Sequence, residues 1–408
     1  MTEERLEQPA VLRRRLGLPL LVLYGTGITV GAGIYVLVGA VARHAGSYAP
    51  WSFLLAAAVM GLTVASYAEM ATRYPVSAGE AAYMRAAFGS RLMSTAVGLL
   101  TLATGIVASA AVTLGGSGYV RQFVELPTPL IAGTIIIVLG AVAAWGIFES
   151  VLLASLFTLI EVGGLLLIIA TAMHSGVAFV PVLVAVPPLE AATLSGIAFA
   201  SLLAFFAFIG FEDLANVVEE AKSPRRDIPR AMALTLVITS VLYIVVAAIA
   251  VSAVSPEQLA ASPAPLSLVY RTVAGLSPST FNVIAVVATL NTILAQMTMA
   301  ARVVYGMARQ GDLPKFAGQV HGGTGTPLIA TGLVVVCVVI LALTFPLERL
   351  AEGTSIATLT TFALVNLSLL RLRLGHVPSV NPHVRVPIAI PALGLISCVA
   401  MMAGALLD

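Results

Sequence analysis

Charge is what this chain has least of. Of its 408 residues only 10% are Asp, Glu, Lys or Arg, where a soluble domain carries roughly 25%. So few charges cannot cover a water-exposed surface of this size. Soluble enzyme, nucleic-acid binder and disordered scaffold are therefore poor readings. Cysteine is nearly absent. Cys337 and Cys398 both lie in apolar runs and read as small core residues, too few for a zinc site and poorly placed for a structural disulfide. The five histidines show no metal-ligand spacing, and the sequence holds no HExxH, no G-x-S-x-G and no Walker loop. An enzyme and an ATP-driven pump thus lose their usual sequence grounds, and no cofactor is expected. What the chain has in excess is apolar length: 59% hydrophobic residues and a mean hydropathy of +1.02.

About 20 apolar residues cross a bilayer as a helix. Eleven segments qualify, at roughly 16–42, 50–72, 92–119, 129–146, 151–173, 194–211, 231–254, 279–305, 327–345, 350–370 and 386–407. They are apolar throughout rather than alternating, which favours helices over the strands of a membrane barrel. With the N-terminus inside, the inner segments hold 17 of the 21 Lys and Arg residues, and the outer ones only Arg43, Arg121, Arg271 and Arg349. The positive-inside rule selects that orientation. Residues 1–15 are expected to be a retained cytoplasmic leader, because no short apolar region there ends in a small-residue cleavage site.

Two spans are not simple. The first contains Gly25-Thr-Gly27-Ile-Thr-Val-Gly31-Ala32-Gly33, and each glycine weakens a helix by up to about 1 kcal/mol relative to alanine. Either these glycines allow close helix packing, Gly27 and Gly31 being four apart, or the helix is broken there and its free N–H groups bind an anion. The sixth span ends in Phe205-Phe206-Ala207-Phe208-Ile209-Gly210-Phe211-Glu212-Asp213, a second expected interruption. Each break opens a group of five spans of opposite orientation. That arrangement predicts an inverted repeat, with spans one to five at 16–174, spans six to ten at 192–371 and an additional helix at 386–408. Paired interrupted helices are the strongest sequence pointer to a transporter site.

Four stretches carry a family resemblance, in order. They are Gly31-Ala32-Gly33-Ile34-Tyr35; then Glu69-Met-Ala-Thr-Arg73-Tyr-Pro75-Val-Ser-Ala-Gly79 with Tyr83 and Phe88-Gly89; then Phe206 to Glu212 followed by Glu219-Glu220-Ala-Lys222-Ser-Pro224-Arg225-Arg226-Asp-Ile-Pro229-Arg230; and Arg302-Val-Val-Tyr305-Gly-Met-Ala308-Arg309-Gln-Gly311-Asp-Leu-Pro314. With these the chain resembles the amino acid–polyamine–organocation superfamily, close to its bacterial amino acid permeases. The resemblance implies an all-α polytopic membrane protein with a LeuT-like five-plus-five inverted repeat, moving an amino acid across the cytoplasmic membrane by alternating access. It implies that backbone N–H groups of Gly31, Ala32 and Gly33 meet the substrate carboxylate. Carbonyls among Ile28, Thr29, Phe206 and Ile209, beside Ala207, would meet the ammonium, and Phe206 would close over the substrate. Such a site would hold both ends of a zwitterion without burying a formal protein charge. The sequence departs from the family in Gly79-Glu80 after span two and in stopping after eleven spans rather than twelve.

Glu161, midway along span five, is a lone ionisable group at membrane depth, and such residues are functional candidates by default. In some relatives this position resembles a lysine standing in for a sodium ion. Here the acid is expected to exchange a proton as access alternates; a structural hydrogen bond between helices is the plainer alternative. Glu69, Glu212, Asp213, Glu219 and Glu220 lie at inner helix ends near Arg73 and the basic loop 222–230. They read as an inner-gate ion-pair network or as solvated charges, with Glu212 the best gate candidate. Thr101, Thr104, Ser109, Asn291 and Gln296 are polar positions in apolar spans, and Thr104 and Asn291 are expected on the side-chain pocket. No acid lies within span three or eight, which favours a neutral substrate. The expected partners are an amino acid, a coupling proton and the lipid bilayer, with no nucleic acid. An exchanger without proton coupling, a substrate-binding sensor, and a polyamine or nucleobase transporter are the alternatives.

Overall fold

The computed structural model describes residue 14 and residues 16–76, 79–145, 151–322, 324–379, 381 and 383–406. The leader expected at 1–15 lies outside the described residues, Arg14 apart. The structure is 81% helical and has no strand among the described residues. All eleven expected spans are helical. Span one is α1 (Leu18–Val30) and α2 (Ala32–Ala45), and span two is α3 (Ala49–Arg73). Gly46, at φ +57°, reverses the chain between α2 and α3, a left-handed conformation that favours glycine. A short α4 (Gly79–Phe88) precedes α5 (Arg91–Val120), α6 (Thr128–Trp145) and α7 (Val151–His174). After α8 (Val180–Val184), span six consists of α9 (Ala191–Phe206) and the single turn α10 (Asp213–Asn216). Then come α11 (Pro224–Ala253), the short α12 (Pro256–Ala261) and α13 (Pro265–Ala274), and the last four spans: α14 (Ser279–Gln310), α15 (Leu328–Thr344), α16 (Leu347–Leu374) and α17 (Ala389–Leu406).

Apolar side chains point in all directions from these helices. Leu130, Ile137, Leu159, Val237, Val336 and Ile396 are exposed while Leu21, Ile136, Val246 and Val365 are buried, as expected of helices with lipid on one face and protein on the other. Contacts between distant segments join ends that share a side in the expected topology. Arg43 of α2 pairs with Glu348 of α16, and Arg91 of α5 with Asp312 after α14. Glu69 of α3 pairs with Arg373 of α16. Leu16 forms a parallel bridge with Ala221.

The packing has a regular plan. α3 lies against α11, α5 against α14, and α6 against α15. α1 packs on α11 as α9 packs on α3, and α7 packs on α1 as α16 packs on α9. Replacing each span by the one five places on therefore maps these neighbours onto one another. α17 stands outside that scheme, against α16, α3 and α9.

Candidate substrate site

The first break is a single residue. Gly31, with φ −27° and ψ −146°, ends α1 and starts α2. Both readings of the glycine-rich stretch apply. The helix is interrupted at Gly31, and the glycines admit close neighbours: a Cβ on Gly33 would stand 2.5 Å from the Cα of Ala207. One on Gly27 would collide with the Thr158 hydroxyl, and one on Gly31 with the Thr292 hydroxyl. The second break, between α9 and α10, is longer. Gly210 takes φ +129°, closed to ordinary side chains, and its N–H donates to Oε2 of Glu212 at 2.8 Å.

The two breaks face each other through Gly33 and Ala207, and a small cavity opens beside them. Its lining takes Ile28, Thr29, Gly31, Ala32 and Gly33 from span one, Phe206 and Ile209 from span six, Ala108 and Val112 from α5, and Thr292 and Gln296 from α14. Seven of these eleven are residues that the sequence singled out as substrate-binding. The eighth, Ala207, is buried against Gly33 and is absent from the lining. No lining residue carries a formal charge. Helix termini leave backbone groups without intrahelical partners, so the start of α2 turns N–H donors, and the ends of α1 and α9 turn carbonyls, toward this region.

Two side chains that sequence reasoning passed over occupy part of this backbone. The Thr292 hydroxyl accepts the N–H of Ala32 at 3.0 Å. The Tyr243 hydroxyl lies within donating distance of both the Thr29 carbonyl, at 2.7 Å, and the Ala207 carbonyl, at 2.9 Å. One phenol on α11 thus ties both breaks. A lone Thr and a lone Tyr inside apolar helices carried no pattern that would have marked them.

Glu161 is fully buried on α7. Its Oε1 accepts from Nδ2 of Asn291 on α14 at 2.9 Å, while its Oε2 has no hydrogen-bond partner. Its backbone carbonyl accepts from the Tyr35 hydroxyl of α2 at 2.6 Å. Asn291, expected on the side-chain pocket, is therefore the partner of this carboxyl and is not on the cavity lining. The acid bridges the neighbourhood of the first break to α14, where Thr292 meets Ala32.

Comparison with known proteins decides the family. The sequence pattern of the family described as Amino acid permease matches residues 16–407. The chain belongs to the amino acid permease family, within the amino acid–polyamine–organocation superfamily. The permease is 30% identical to the branched-chain amino acid permease BcaP of Bacillus subtilis (strain 168), over 96% of this chain and 88% of that one. It is 28% identical to the mitochondrial cationic amino acid transporter 3 of Arabidopsis thaliana, over 89% of this chain and 63% of the relative. It is also 27% identical to the methylthioribose transporter of Bacillus subtilis (strain 168), over 95% and 86%. It is a multi-pass membrane transporter and not an enzyme.

Beside the first cavity the permease has a second small one. Ile209 and Gln296 line both. The second cavity carries Glu80, Glu212 and Asp213, with Thr101 and Thr104 of α5 and Thr358 and Thr361 of α16. Thr104 was expected on a side-chain pocket and lies here. Glu80, on α4 outside the spans, accepts the Tyr67 hydroxyl at 2.9 Å. Burial pushes its carboxyl above the ordinary carboxylate range, because desolvation disfavours the charged form.

The expected inner network is differently wired. Among the described ion pairs, Glu69 meets Arg373 of α16 rather than the loop 222–230, and it also accepts the N–H of Val386 at 2.8 Å. Arg73 donates to the Val377 carbonyl. Glu212 caps Gly210 and forms none of the described ion pairs. Leu16 donates to the Glu220 carbonyl at 3.0 Å and accepts the N–H of Lys222 at 2.8 Å, tying the chain ahead of α1 to the segment that follows α10.

Proposed function

We propose that this permease moves a zwitterionic amino acid across the cytoplasmic membrane by alternating access, with its basic end and N-terminus inside. The carrying observation is the meeting of two interrupted helices at one uncharged cavity. Donors at Gly31, Ala32 and Gly33 suit a carboxylate, and carbonyls at Ile28, Thr29, Phe206 and Ile209 suit an ammonium. Burying a zwitterion costs several kcal/mol unless both ends find partners, and backbone groups supply them without a charged protein side chain. The uncharged lining supports a neutral side chain for any substrate held wholly within the first cavity. The similarity to BcaP, named for branched-chain amino acids, agrees with that. Phe206 lines the cavity and is the proposed lid, and Glu212, at the second break, belongs to the inner gate.

The packing exchange of spans five places apart supports an inverted repeat of 16–174 and 192–371, with the helix at 386–408 added. Coupling is assigned to Glu161. Its unpartnered Oε2 lies in a fully buried site between α7 and α14, with Asn291 and the Tyr35 hydroxyl about it. A proton there would be held in one access state and released in the other. The test is Glu161→Gln in proteoliposomes, a change that keeps the shape and the hydrogen bond from Asn291. Accumulation driven by a pH gradient should vanish while counterflow exchange continues. Unchanged accumulation removes the coupling role. Saturable substrate binding without flux in either protein makes the chain a sensor.

A further inference from the structure

The first half of α11 carries a pattern that the transport site does not use. Lys222, Arg225, Arg226 and Arg230 fall close together where this helix begins. All four are exposed, and none is in a described ion pair. Asp227, the acid among them, is turned inward and buried. The first turn of a helix favours acids over cations, so these basic side chains do not serve α11 itself. A topology signal needs only a number of basic residues at one membrane end. It does not require them in any particular register.

The register is the independent observation. At about 100° per residue, Arg226, Arg230, Ala233, Leu234, Val237 and Val241 share a stripe roughly 100° wide. All six are exposed, while Ile228, Thr235, Thr239 and Val246 on the opposite side are buried. From Arg230 to Val241 the helix rises about 16 Å, one leaflet of a hydrocarbon core roughly 30 Å thick. Farther along α11, residues 246–250 are all buried, so the exposed stripe does not run on across the bilayer. Arg226 and Arg230, one turn apart, stand at its head. Two guanidinium forks so placed match the oxygens of a phosphate. A free anion has no use for the apolar part of the stripe. A molecule with an anionic phosphate and acyl chains fits both parts.

We infer that this face of α11 is a binding site for an anionic phospholipid. Its headgroup phosphate is held between Arg226 and Arg230, with Lys222 and Arg225 adding charge beside it. Its acyl chains lie along Leu234, Val237 and Val241. The backbone of Lys222 is bonded to Leu16, so the headgroup stands beside the chain ahead of α1. The site is separate from the substrate cavity and depends on neither the substrate nor the coupling.

The experiment adds phosphatidylglycerol or phosphatidylcholine with the same oleoyl chains to the purified full-length permease in detergent. Melting temperature is followed, and native mass spectrometry counts the retained lipid. In the wild type phosphatidylglycerol should act at a concentration at least about 10-fold lower than phosphatidylcholine. Each basic residue near an anionic headgroup contributes about 5-fold. The pair Arg226→Gln with Arg230→Gln should therefore raise the half-saturating phosphatidylglycerol concentration about 25-fold and leave phosphatidylcholine unchanged. The pair Arg226→Lys with Arg230→Lys keeps the charge but loses the forks, and its preference should fall between. Each protein is referenced to its own phosphatidylcholine response, so a general loss of stability does not imitate the effect. Arg309→Gln with Lys315→Gln removes as many exposed charges at the same end of the expected topology and should keep the wild-type preference. The inference is overturned if the two lipids are equivalent in the wild type, or if the glutamine pair at 226 and 230 keeps the preference. It is also overturned if the control pair lowers the preference equally, which would make it a matter of overall charge. Inorganic phosphate that reproduces the stabilisation with the same arginine dependence would make the site one for a free anion and overturn the lipid.

Discussion

The two interrupted helices solve the same problem by opposite means. In span one the break is one residue, and it is open because side chains are missing: Gly31 lets the chain turn, and Gly27 and Gly33 let Thr158 and Ala207 approach. In span six the break runs through 207–212 and is stabilised by a side chain of its own, since Glu212 accepts the N–H of Gly210. At the first break the side chains that meet the backbone are neutral hydroxyls, Thr292 at the Ala32 N–H and Tyr243 at the Thr29 carbonyl. The second spends a carboxylate on itself. A break built from absent side chains tolerates no addition, whereas one built from a capping side chain tolerates isosteric replacement.

That contrast can be broken by mutation. The largest effect is expected from Gly33→Val. A first carbon there already meets the Ala207 backbone at 2.5 Å, so a branched side chain must force the two breaks apart. Uptake should be abolished and ligand-induced stabilisation lost even where protein is recovered from the membrane. Normal uptake by this variant would mean that the close contact is not needed in the working cycle. Next is Glu212→Ala, which strands the Gly210 N–H and should lower stability by about 1–3 kcal/mol, read as a fall in melting temperature. Glu212→Gln keeps an acceptor and should recover most of it; equal loss in both would show that charge, not capping, matters. The smallest is Tyr243→Phe. It removes one hydroxyl shared between two carbonyls and should cost about 1 kcal/mol, with a severalfold change in KM and little change in expression, measured by uptake and melting curves together.

The spans were legible because a lipid-facing helix must be apolar on almost every side, and no turn or loop imitates a run of 20 such residues. The breaks were legible because glycine, and glycine followed by acids, are expensive inside a membrane helix and occurred at matching places. Seven residues that line the first cavity were singled out from those two facts and from the family pattern. The rest depended on which helices become neighbours. Glu80 joins Glu212 and Asp213 from more than a hundred residues away, across α4, which is too short and too polar to stand out as a span. Asn291 read as a pocket residue because nothing in span eight announced that α7 would bring Glu161 to it. Tyr243 and Thr292 act on backbone atoms, and the sequence holds no record of which carbonyl or N–H a distant hydroxyl will reach. The short helices α12 and α13, each opened by proline, lie in a connection whose charges and prolines read as loop.

The short bridge between Leu16 and Ala221 carries a mechanical consequence. Two backbone bonds, from Leu16 to Glu220 and from Lys222 to Leu16, fasten the foot of the first broken helix to the chain leaving the second. The segments flanking those two half-helices are therefore fastened to each other. Any displacement of one of these two segments must carry the other with it or break both bonds.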